Sequence, residues 1–178
     1  MTLKKTKIIS VISIFILCFL FHFIYENIPC TLTSIFFPVN ESIWEHIKMV
    51  YSSIIFYGFF DYIILRKNNI QFNNFFTSLF ISSISIIPIF LIIYLPIYNL
   101  IGTKFIINII VMLVVIILSQ IISYLILIKN ENRKIDFISL LLIMISFVAF
   151  SYLTYHPPKT KLFYDTNNKK YGINIYNI

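Results

Sequence analysis

Apolar positions in this chain follow neither the 3.6-residue period of a surface helix nor the alternation of a half-buried strand; they run on unbroken for about twenty residues at a time. Runs of that length match what a helix needs to cross a hydrocarbon core of about 30 Å. The pattern predicts an all-α, polytopic membrane protein with five transmembrane helices, over about 8–25, 42–65, 75–96, 104–128 and 135–155. Polar clusters separate the runs: Arg66-Lys67-Asn68-Asn69 after the second, Lys129 to Lys134 after the fourth. Pro29 and Pro38 fall in the first connection, Pro88 predicts a kink in the third helix, and Pro157-Pro158 ends the fifth. Residues 1–156 thus form a helical bundle and 157–178 a short polar tail. The first run is too long for a secretory signal and lacks a small-x-small cleavage site, so it reads as a membrane helix.

Composition supports this and narrows the function classes. Hydrophobic residues make up 59% of the 178 positions and charged residues only 12%, against about 25% in soluble domains. The net charge of +7 reads as loop cations that set orientation, so nucleic-acid binding is set aside. With the N-terminus inside, the cytoplasmic segments carry Lys4, Lys5, Lys7, Arg66, Lys67, Lys129, Arg133 and Lys134. The other side carries Lys48 and Lys104, plus Lys159, Lys161, Lys169 and Lys170 in the tail, where distance from the bilayer weakens the effect. The expectation is therefore a plasma-membrane protein with cytoplasmic N-terminus and extracytoplasmic C-terminus. Residue usage rich in Ile, Asn and Lys suggests an AT-rich bacterial genome. Cys18 and Cys30 read as free thiols, and no internal repeat emerges.

Scarcity of charge makes one stretch conspicuous: Pro38-Val39-Asn40-Glu41-Ser42-Ile43-Trp44-Glu45-His46-Ile47-Lys48, entering the second helix. Ionisable groups at a membrane boundary are costly and tend to be functional. At about 100° per residue, Glu41, Glu45, Lys48 and Ser52 share an arc of roughly 60°, with Ser42 and His46 beside it. Part of the motif is also explained by capping: Ser42 and Glu45 have the form of a capping box, and Asn40 could be the N-cap itself. His22 and Glu26, four apart on the first helix, form a second pair able to share a metal or orient an imidazole. The third group is Tyr155-His156-Pro157-Pro158 with Leu162, Phe163 and Asp165, a tail whose apolar content suits a lid folded back over the membrane surface. All three histidines fall on the outer side of this topology. Asp61 near Arg66, and Asp136 near Arg133 and Lys134, read as local charge balance, and Asn108 and Gln120 as interhelical hydrogen-bonding groups.

The string Pro38-Val39-Asn40-Glu41-Ser42-x-Trp44-Glu45-His46-x-Lys48, with His156-Pro157-Pro158, Leu162-Phe163-x-Asp165 and Tyr171-Gly172-Ile173, resembles a family of small, uncharacterised bacterial integral membrane proteins. The resemblance implies that the helix-two motif and the tail motif belong together at one outer-face site. It carries no activity.

Three function classes fit these residues. The first is a membrane-embedded hydrolase or transferase acting on a lipid-linked or lipoprotein substrate. In it His46, Glu45, Glu41, His22 and Glu26 are the catalytic candidates. Lys48, Trp44, Asn40, Ser42, His156 and Asp165 are the substrate-binding ones. Two histidines with one or two carboxylates would suffice for zinc, yet no HExxH motif or Cys pair is present, and metal and cofactor stay unassigned. The second is a non-catalytic immunity, sensor or assembly factor. The third is a small transporter component, lined by Asn108, Gln120 and the serines of the third helix. Few ionisable residues lie mid-membrane, which counts against ion coupling. The sequence leaves open whether the protein is an enzyme.

Overall fold

The computed structural model describes residues 1–102 and 105–173. Seven helices are formed among them, α1 Leu3–His22, α2 Ile24–Asn27, α3 Thr31–Phe36, α4 Ile43–Lys67, α5 Phe75–Ile101, α6 Phe105–Leu127 and α7 Arg133–Tyr155. They are followed by a two-stranded antiparallel hairpin, β1 Tyr164–Asp165 and β2 Lys170–Tyr171. Five helical segments are long and apolar enough to cross a membrane: Leu3–Asn27, Ile43–Lys67, Phe75–Leu100, Phe105–Leu127 and Arg133–Tyr155. Lys104, among the outer cations counted above, lies outside the described residues, as do the last five of the tail.

The boundaries differ from the sequence reading: α1 begins at Leu3, five residues before the expected start, and the first connection contains the short helix α3. The first run is interrupted at Phe23, where α1 stops and the short α2 begins. The third helix does not end at Pro96 but runs through Pro88 and Pro96 to Ile101. A lipid environment offers stray backbone groups no alternative partner, so helix is retained where water would have allowed it to stop. Ser82, Ser83 and Ser85 of this helix each donate to a carbonyl three residues back.

Within the bundle, α4 is the central element. It packs against α1, α3 and α5, while α6 closes against α1 and α5, and α7 against α5 and α3. Along its apolar stretch 67% of the residues are buried, against 22–33% for the other four spans, and it is also the least apolar of the five. That inversion is the expected one when lipid is the solvent: polar side chains turn inward and meet each other. Serines and tyrosines supply much of this interior. Ser78 bonds Ser123 across α5 and α6 (2.8 Å), and Tyr51 bonds Ser146 across α4 and α7. The apolar core between them holds Ile14, Phe21, Ile47, Ile54, Ile86 and Ile116.

Candidate functional site

Ser42 caps α4, accepting the Glu45 N–H on its hydroxyl at 3.3 Å. Only half of the expected capping box is formed, because the Glu45 side chain turns inward. Its carboxylate pairs with Lys48 (2.6 Å) and accepts from Thr154 Oγ1 (2.8 Å) and the Val39 N–H (3.1 Å). Lys48 completes its donors on the Ser34 carbonyl (3.0 Å) and Thr154 Oγ1 (2.9 Å). Glu45 and Lys48 are thereby a closed, fully buried cluster tying α4 to α3 and α7, and neither lines the cavity described below.

Glu41 sits one residue before that cap, so the helical wheel that groups it with Glu45 does not apply to it. Its carboxylate lies on the other side, 3.6 Å from His22 Nε2 and 3.6 Å from His46 Nε2, one oxygen to each. The two imidazole centroids are 5.7 Å apart. His46 Nδ1 lies 2.9 Å from the Ser42 carbonyl oxygen, and since a carbonyl only accepts, Nδ1 carries the proton and donates it. His22 thus meets Glu41 in place of Glu26. Phe23 separates α1 from α2, and Glu26 is exposed on α2 and enters none of the ion pairs formed among the described residues.

The three side chains stand at one end of a cavity of about 200 Å³ between α1, α4, α5 and α6. Phe19, Val50, Phe90 and Met112 give it apolar walls, and Tyr94, Tyr98 and Asn108 add polar groups. Asn108 Oδ1 is buried with no hydrogen-bond partner. Lys161, Tyr164, Thr166 and Asn167 of the tail line the same cavity.

The tail reaches that position through a set of specific links. The Trp44 backbone N–H donates to the Leu162 carbonyl (3.0 Å), and the Trp44 ring rests on Phe150 and Phe163, with centroids at 5.0 Å in both cases. Asn40 bridges its own loop to the tail, accepting from the Ser42 N–H (2.9 Å) and donating to the Gly172 carbonyl (3.0 Å). Asp165, fully buried, accepts from the Glu41 N–H (3.2 Å), the Asn167 and Asn168 N–H groups and the Asn168 amide. Burial by itself raises the Asp165 pKa, but hydrogen bonds donated by Asn168, Glu41 and Asn167 outweigh it and hold the carboxyl below its usual value. Gly172 has φ +56°, and a Cβ there would stand 2.5 Å from the Thr154 carbonyl oxygen.

Of the residues singled out from sequence, the structure brings His22, Glu41 and His46 together at a cavity. Asn40, Ser42, Trp44 and Asp165 form the scaffold that holds the Glu41 segment and the tail. His156 is exposed at the end of α7, its ring 5.0 Å from Tyr152. Tyr94, Tyr98 and Lys161, the last marked by sequence only as a tail cation, also line the cavity, and no local spacing makes them neighbours of a histidine.

At the opposite end of the bundle two expectations are corrected. Asp61 pairs with Lys7 of α1 (2.7 Å) and accepts from Ser10 (2.7 Å), rather than balancing Arg66, whose guanidinium lies over Tyr62 and Phe72. Asp136 accepts from the N–H and hydroxyl of Thr77 (2.8 and 3.1 Å) rather than pairing with Arg133 or Lys134. In both cases a partner on another helix displaced one nearby in sequence.

A family model described as "Family of unknown function (DUF6512)" matches residues 1–173, and the chain belongs to that family. No curated protein and no solved structure matches the chain.

Proposed function

We propose that this DUF6512 member is a membrane-embedded hydrolase or transferase. Its substrate is lipid-linked and is met at the outer face of the plasma membrane, with the N-terminus cytoplasmic. One observation carries the reading: two imidazoles and a carboxylate converge at the end of a cavity whose remaining wall is largely apolar. An amphiphile fits that shape, with its hydrocarbon portion against Phe90, Val50 and Met112 and its polar linkage beside Glu41. In hydrolysis, an attacking water would pass its proton to the His/Glu site as its oxygen bonds to the carbonyl carbon or phosphorus. The bond to the leaving oxygen breaks, and that oxygen takes the proton back. Lys161 at the tail side of the cavity offers a cation for a phosphate or oxyanion. Glu45 and Lys48 act at a distance in this reading, by fixing the first turn of α4.

The test is a lipid and lipoprotein profile of a host lacking the gene, complemented with wild type, His46→Ala or Glu41→Gln at equal membrane levels. Wild type alone should remove an accumulating lipid-linked species. Identical profiles in all strains would refute the enzyme.

A second reading, a non-catalytic receptor for the same kind of amphiphile, is favoured by the tail residues that line the cavity. It predicts that purified protein retains a bound lipid unchanged over time, where the enzyme converts it.

A further inference from the structure

We propose that His22 Nε2, the Glu41 carboxylate and His46 Nε2 hold a divalent transition-metal ion of the zinc class, with a coordination position left open toward the cavity. Candidate ligand atoms from the three residues all lie within 4.8 Å of one another, and each imidazole Nε2 is 3.6 Å from a Glu41 oxygen. Two ligand atoms bound tetrahedrally at about 2.0–2.1 Å from zinc are separated by about 3.3 Å, so each imidazole needs to approach its Glu41 oxygen by a few tenths of an ångström, and the two imidazoles each other by no more than about 1.5 Å.

The tautomer of His46 adds an independent argument. Its Nδ1–H is committed to the Ser42 carbonyl, which leaves the Nε2 lone pair of the neutral ring facing a carboxylate oxygen. Lone pair against anion is repulsive unless a proton or a cation lies between them. A backbone carbonyl holding the far nitrogen is the arrangement that orients metal-bound histidines elsewhere. Glu41 is held in turn by the Asp165 carboxylate on its N–H. The three side chains are 28–37% exposed, which leaves an ion a way in.

Donor chemistry selects the metal. Two imidazoles exclude the oxygen-only preference of calcium and magnesium, and two histidines with one glutamate match catalytic zinc sites that keep a position for water. The inference deepens the hydrolase reading and takes its chemical purpose from it: a bound ion would bring the pKa of water to about 7.

The experiment uses the full-length protein in detergent micelles, stripped with a chelator and titrated with Zn²⁺ and, separately, Co²⁺. One ion per chain is expected, with the visible ligand-field bands of tetrahedral or five-coordinate Co²⁺. His46→Ala and Glu41→Gln should weaken binding by about 100-fold or more. Glu26→Gln and His156→Ala should bind as wild type does, and thermal melting confirms that each variant is folded. Absence of a stoichiometric ion in wild type, or equal affinity in wild type and folded His46→Ala, overturns the proposal. Because the readout needs no substrate, the two readings fail separately. Metal bound with an unchanged lipid profile keeps the site and ends the enzyme, and a changed profile without metal leaves a metal-free acid–base site and ends the ion.

Discussion

Lys48→Met tests the view that the helix-two motif contains two functionally separate halves. The Lys48 side chain is 0% exposed and its ammonium is used up on Glu45, the Ser34 carbonyl and Thr154. Methionine keeps much of the stem volume but leaves the Glu45 carboxylate, 2% exposed, without its cation. Removing one partner of a buried pair costs about 3–5 kcal/mol, mostly from the stranded charge. At about 1.4 kcal/mol per factor of ten, the folded-to-unfolded ratio falls by roughly 100- to 4,000-fold, a large part of a typical stability of about 5–15 kcal/mol. Adding Glu45→Gln should recover most of the loss, since a neutral pair of similar shape replaces an ionic one. The assay is thermal unfolding in detergent micelles of wild type, Lys48→Met and the double variant, with Zn²⁺ binding measured on the double variant. It should melt near wild type and still bind the ion. A single variant as stable as wild type, or a double variant no better than the single, would refute the reasoning.

Three further outcomes are expected. Gly172→Ala should free the tail to trypsin at its lysines, and Gly172→Asn should do the same despite asparagine's tolerance of positive φ, because the obstacle is the Thr154 carbonyl; unchanged cleavage of either would count against it. The Asp165 carboxyl is held below its ordinary value, so its contribution to tail docking is complete above the unfolded pKa of about 3.9 and lost as pH falls through the lower folded value. Emission from the single Trp44, whose ring packs against Phe163 of the tail, should report that release, and Asp165→Asn should show the released signal at neutral pH. Finally, Lys7→Met should lower the melting temperature while Arg66→Met does not; equal effects would return Asp61 to Arg66.

Sequence made the five membrane-crossing helices legible because lipid demands length and apolarity of each span by itself, a local property. It was less informative wherever a side chain chose a partner across the bundle. His22 reads as the partner of Glu26 because a helix stacks i on i+4, but its carboxylate partner is Glu41, brought in from the loop before α4, while Glu26 stays exposed. Glu41 and Glu45 read as one face, yet the helix starts at Ile43, so the wheel does not reach Glu41. The tail motif was visible as a motif. That Asp165 would bond the backbone of Glu41 follows from chain reversal at Pro157-Pro158 and the hairpin register, which no local pattern encodes.

The two charged clusters of α4 bear on how the chain is made. A helix carrying Glu45, Lys48 and Asp61 is a poor candidate to leave the translocation machinery for lipid alone, since an isolated charge costs up to about 2.5–3.5 kcal/mol on insertion scales, the full figure applying at the helix centre. Glu45 and Lys48, three apart on one helix, can enter already neutralised by each other. Asp61 has its cation on α1, synthesised earlier and able to wait beside the exit site. In this order of synthesis every acid on α4's buried face meets its base without waiting for α5, α6 or α7, and only the neutral partners Gln120 of α6 and Thr154 of α7 arrive later.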